Sequence, residues 1–154
     1  MHKNLHTKLI RAVERAVGWL PFMALLLGAG VLGAIRESRA GGLMTWAPTY
    51  RSALRASRRT REPVLLAFQS ASGGWSAKMD AETFADVGVE NLSTRFQCVR
   101  LERALDTKTA RSYHVTVWPT TILLTSHGSP AYRFTGYTPA SALLPAMQHL
   151  LARD

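Results

Sequence analysis

The sequence predicts an α/β domain, a central mixed sheet flanked by helices, preceded by a single transmembrane helix. Three observations carry that prediction. Residues 16–35 are apolar and uncharged; from Trp46 onward short apolar runs of strand length alternate with amphipathic helical segments; and the chain closes on a turn-linked pair of strands and a helix. In a chain of 154 residues, the part beyond the apolar stretch suffices for one domain. An apolar fraction of 47% against 19% charged residues fits a folded domain plus a hydrophobic segment rather than a disordered chain.

The chain divides into a basic amphipathic tail (1–15), the apolar span (16–35), a linker (36–45) and the domain (46–154). About twenty residues at a helical rise of 1.5 Å cover about 30 Å, enough to cross a bilayer once. Ser38, Arg39 and Ala40 offer small residues for processing of a signal peptide, but such a peptide has an apolar core of only about 7–15 residues, which favours an uncleaved anchor. Lys3, Lys8, Arg11 and Arg15 before the span nearly balance Arg36, Arg39, Arg51 and Arg55 after it. The short cationic tail is expected to stay in the cytoplasm, with the domain periplasmic or otherwise extracytoplasmic. Gly28, Gly30 and Gly33, with Ala24, Ala29 and Ala34, place small residues four apart where a second membrane helix could pack.

In the domain, apolar spacing over 46–59 predicts an amphipathic helix with Pro48 in its first turn, and the continuous run 63–68 a central strand covered on both faces. Helices are expected over 76–84, 87–96 and 107–113, and strands over 97–101 and 120–124. His127, Gly128 and Ser129 turn the chain into a last strand at 131–134. Thr138 and Pro139 supply a capping hydroxyl and a first-turn proline for a terminal helix over 140–151, with Leu143, Leu144, Met147 and Leu151 on its buried face.

Three sequence pieces in this order resemble the thioredoxin-like family. VLLAF (64–68) running into SASGGWSAKM (70–79) is similar to the strand and W-C-G-W-C-x-x-M turn of the family; DAETF (80–84) resembles the segment after that turn in membrane-associated and periplasmic bacterial members; and YHVTVWPTTI (113–122) is similar to the loop that carries the family's cis-proline, here Pro119. The resemblance implies a thioredoxin-like fold. It also sets Gly73 and Ser76 at the two redox cysteine positions, and Ser72 where a tryptophan usually stands. Glycine has no side chain, and an unactivated serine hydroxyl cannot form a mixed disulfide, so no catalytic residue is expected and Ser76 is assigned to capping its helix. Trp75, Trp118, Pro119 and Thr120 form the expected binding groove, where the resemblance implies backbone groups that pair with an extended peptide.

The sequence therefore points to a redox-inactive, membrane-anchored interaction module: an accessory subunit, assembly factor or chaperone of a membrane or extracytoplasmic protein. Two alternatives stand beside it. One is an oxidoreductase-related protein working through Cys98, the single cysteine, or through a partner's thiols; the other is a lipid-surface protein, because a net charge of +9 with the arginine run 51–61 suits anionic headgroups. No cofactor or small-molecule substrate is inferred. The five histidines offer only the tail pair His2 and His6 at helical spacing, so no metal is expected, and no nucleic-acid module accompanies the charge.

Overall fold

The computed structural model describes residues 44–154. The expected tail, the expected span with Gly28, Gly30 and Gly33, and most of the expected linker lie outside the described residues. Among the described residues no helix is long and apolar enough to cross a membrane.

The elements run β1 (Trp46–Ala47), α1 (Tyr50–Thr60), β2 (Val64–Gln69), α2 (Gly74–Lys78), a π-helical turn (Met79–Thr83), α3 (Val87–Ser93), β3 (Gln97–Glu102), α4 (Thr107–Ser112), β4 (Thr120–Leu124), β5 (Pro130–Thr135) and α5 (Ala140–Arg153). They build one sheet in the order β1-β3-β2-β4-β5. β1, β2 and β3 are mutually parallel, whereas β4 runs antiparallel to β2 and β5 antiparallel to β4. This is the mixed sheet with flanking helices that the alternation predicts.

β2 is buried along its whole length, which is why it stands in the sequence as an unbroken apolar run. Its alternate residues serve two cores. Leu65 and Ala67 join Met79, Phe84, Val89, Cys98, Leu123, Leu143 and Met147 on one side, beneath α3 and α5. Val64, Leu66 and Phe68 join Ala53, Val99, Leu101, Ala110 and Ile122 on the other, beneath α1 and α4. Met44, in the expected linker, packs into the first core. Each fully buried Leu, Ile or Phe contributes about 1.5–3 kcal/mol, so the two layers together hold the sheet between its helices.

Three local expectations are corrected. The helix expected over 46–59 begins only at Tyr50, because Trp46 and Ala47 pair as a strand with Cys98 and Val99. Thr49 then caps the helix, its hydroxyl accepting from Ser52 N–H while Ser52 Oγ accepts from Thr49 N–H. At the far end, Thr138 does not cap α5; its hydroxyl donates to Gly136 O at 3.3 Å, and Pro139 takes the cap position without a side-chain bond. The helix expected over 76–84 is a short α-turn followed by the π-turn, where Phe84 N–H reaches back to Met79 O.

Gly128 and Gly136 have φ of +87° and +83°, a region open to glycine at little cost. Gly128 lies in the turn from β4 into β5. Gly136 follows β5 and donates its N–H to Pro119 O at 2.8 Å, which fixes the end of β5 against the loop before β4.

Candidate functional site

At the carboxyl end of β2 the chain makes a tight turn into α2. Gly73 N–H donates to Ser70 O at 2.9 Å, and Ala77 N–H to Gly73 O at 3.0 Å, so Gly73 occupies the cap position of α2. Ser76 is buried inside α2 and does not cap it. Its Oγ accepts from Ser70 N–H at 3.0 Å and closes the turn from within. Glu102 at the end of β3 accepts from Ala71 N–H at 3.0 Å, tying the same turn to the neighbouring strand. A Cβ added at Gly73 would lie 3.5 Å from Ser76 Oγ, so the two positions face each other across the turn.

Trp75 extends outward from this turn, 61% exposed. Its ring lies against Tyr137, with centroids 5.9 Å apart, and Lys78 Nζ sits over both rings, 5.6 Å from Trp75 and 4.9 Å from Tyr137. Tyr137 donates its hydroxyl to Glu82 at 2.6 Å, and Lys78 pairs with the same carboxylate at 3.8 Å. The bond to the Glu82 carboxylate favours the protonated phenol and raises the Tyr137 pKa above its ordinary 10.0. Asp80 accepts from Gln69 at 3.1 Å and from Arg100 at 2.7 Å, joining β2 and β3 to the start of the π-turn.

Trp118 is placed differently. Its indole meets the buried Phe68 ring edge-on at 5.8 Å and is half-buried against the second core, whereas Tyr137, the neighbour of Trp75, packs against the first. The Trp118–Pro119 peptide bond is cis, as the resemblance implies. Pro119 and Thr120 are buried, and Thr120 Oγ1 donates to Val117 O at 2.7 Å. Of the four expected groove residues Trp75 offers the most side chain to solvent. Arg133 donates to Tyr113 O and His114 O at 2.7 and 2.9 Å, which holds the approach to Pro119 in place. Tyr113 shares a hydrogen bond with Tyr50; burial first, then that bond, pushes its phenol well above the ordinary range.

Two side chains at this end carry no signal in the sequence. Leu105, 82% exposed after β3, and Val117, 46% exposed before β4, join Trp75 as three of the four large apolar residues most exposed among the described residues. Strand direction places all three at the same end of the sheet, because the carboxyl ends of β2 and β3 lie beside the amino end of β4.

Cys98 lies within the first core, 2% exposed, with Sγ 3.8 Å from Ser93 O. Burial pushes its thiol from an ordinary 9.0 up to about 12. The folded state therefore holds this proton more tightly than the unfolded chain, and stability falls as pH rises between those two values. Alkylation of the native protein near neutral pH is expected to leave Cys98 unmodified, with full modification after denaturation; rapid labelling of the native protein would contradict the burial. Among the described residues no group of histidine, cysteine and acidic side chains is placed to hold a metal ion.

Comparison with known proteins agrees with this geometry. No curated protein matches the sequence. Among solved structures, the chain is similar to the DsbH oxidoreductase (18% identity, 75% of this chain and 89% of that one, TM-score 0.64) and to a thioredoxin from Thermus thermophilus (22% identity, 71% and 88%, TM-score 0.64). It is also similar to chloroplastic thioredoxin z, at 15% identity over 71% of this chain and 96% of that one, with a TM-score of 0.58. At these identities the likeness establishes the fold. Residues 50–151 match the thioredoxin-like domain, and the chain belongs to that family.

Proposed function

We propose that this protein is a membrane-anchored, non-catalytic thioredoxin-like interaction module, serving a membrane or extracytoplasmic protein as accessory subunit, assembly factor or chaperone. The observation that carries the reading is that Trp75, Leu105 and Val117 are each exposed at the end of the sheet where Gly73 and Ser76 stand without a thiol. Thiol exchange needs an accessible thiolate, and the single cysteine is buried with its ionisation suppressed. Exposed apolar side chains at the same end are suited to a protein partner instead. The apolar run 16–35 supports anchoring, and the short cationic tail before it supports an extracytoplasmic domain.

The test is purification of the full-length chain in mild detergent, with the stoichiometry of any companion measured and then remeasured for Trp75→Ala. An exposed tryptophan at the centre of an interface costs about 2 kcal/mol or more when truncated, a loss of about thirtyfold in affinity. A stoichiometric companion released by Trp75→Ala supports the reading. A companion that Trp75→Ala leaves bound moves the contact away from this end, and disulfide-exchange activity in the unaltered chain would overturn the non-catalytic assignment.

A further inference from the structure

The opposite end of the sheet has a different chemistry. The last turn of α1, the turn between α3 and β3, and the last turn of α5 converge there, since Gln97 N–H bonds Pro63 O and Ser126 N–H bonds Asp154. These elements bring Arg58, Arg59, Arg61, Arg95 and Arg153 to one end, and Arg55 lies one helical turn behind Arg58 and Arg59. Arg61 and Arg95 line the same open cleft with Glu62, Pro63, Leu151 and Asp154, of about 310 Å³. Among the described residues none of the six arginines forms a salt bridge; the two that exist use Lys78 and Arg100.

The carboxylates at this end are already engaged within the domain. Glu62 accepts from Thr60 and Gln97, and Asp154 from Ser126 N–H. Those donors are neutral, so both carboxylates keep their charge; with about half a negative charge from each helix carboxyl end they offset part of the six arginines and leave a smaller positive surplus facing solvent.

We propose that this arginine-rich end is a docking surface for anionic lipid headgroups. Within the cleft Glu62 and Asp154 balance Arg61 and Arg95, so the complementary charge lies on the exposed Arg55, Arg58, Arg59 and Arg153 around it, and guanidinium groups bind phosphate in paired hydrogen bonds. Docking there leaves Trp75, at the far end, free for a protein. The proposal rests on the anchored reading only for keeping the domain near a bilayer.

The full chain is reconstituted in lipid nanodiscs made of phosphatidylcholine alone or with phosphatidylglycerol, and amide hydrogen exchange is followed along the domain. In the anionic discs, the last turn of α1 and the turn around Arg95 are expected to exchange about fivefold more slowly, as one basic contact with headgroups implies. The protection should vanish in ~1 M salt, where the screening length is about 3 Å. It should also vanish in the Arg58→Gln, Arg59→Gln, Arg61→Gln variant, with exchange in the central strands unchanged as the control for folding. Equal exchange in both lipids, or protection that survives salt, overturns the proposal, and the salt series on the unaltered chain decides even where the variant misfolds. Protection produced by a nucleic-acid duplex and not by anionic lipid also overturns it. If the chain does not insert into discs, the anchor fails, and co-sedimentation with anionic but not neutral vesicles still decides the docking surface.

Discussion

A Gly73→Cys, Ser76→Cys double variant is expected to close an intramolecular disulfide at the β2–α2 turn, leaving the buried Cys98 as its free thiol. The geometry favours the bond: a Cβ at Gly73 would lie 3.5 Å from the present Ser76 Oγ, close to the roughly 3 Å that an S–S bond of about 2.04 Å sets between a Cβ and the partner's sulfur. The same added Cβ would lie 3.3 Å from Ser70 O, so the turn must give slightly. Thiol counting on the native and denatured variant, before and after mild oxidation, reads the result directly. Two thiols lost on oxidation, and regained on reduction, confirm that the turn keeps the arrangement for thiol chemistry without its atoms. Three free thiols after oxidation would mean that the turn has diverged from that arrangement.

Replacing Phe68 by alanine should cost about 3–5 kcal/mol, the largest stability loss expected from a single change in this domain. Phe68 is fully buried in β2, and its ring packs against both Tyr113, at 6.0 Å between centroids, and Trp118, at 5.8 Å. The cavity would remove the support beneath the indole that precedes Pro119 as well as apolar contacts in the second core. Denaturant unfolding gives the magnitude, and a shift in tryptophan fluorescence that disappears when Trp118→Phe is added reports whether Trp118 loosens. A loss below about 1 kcal/mol would mean that the surrounding helices collapse into the space and that the second core is much less rigid than its packing implies.

Much of the sheet is legible because burial on both faces writes itself into sequence. The run 63–68 has no polar interruption, and 120–124 has the same bounds in pattern and in structure, since both strands lie at the centre between helices. β1 escapes for the opposite reason. Two residues carry no period, and the apolar spacing through Trp46 and Tyr50 fits a helix until Cys98 and Val99 are known to lie alongside. Ser76 illustrates a choice that local pattern leaves open: a serine near a helix start suggests a cap, yet its partner, Ser70 N–H, lies across the turn. The cluster of Trp75, Lys78 and Tyr137 depends on β5 returning to the same end as β2, a tertiary fact that no short window contains. Leu105 is an isolated leucine in a polar loop, and nothing in its neighbours along the chain distinguishes exposure from burial.

The burial of the one thiol has a consequence for where this domain can work. Its folded state neither gains nor loses an internal disulfide when the surroundings become more oxidising or more reducing, because Cys98 has no partner sulfur and stays protonated near neutral pH. A relative with an active disulfide changes its surface each time it passes electrons on. This domain has no such second surface to alternate with, so its exposed face is the same in oxidising and in reducing surroundings.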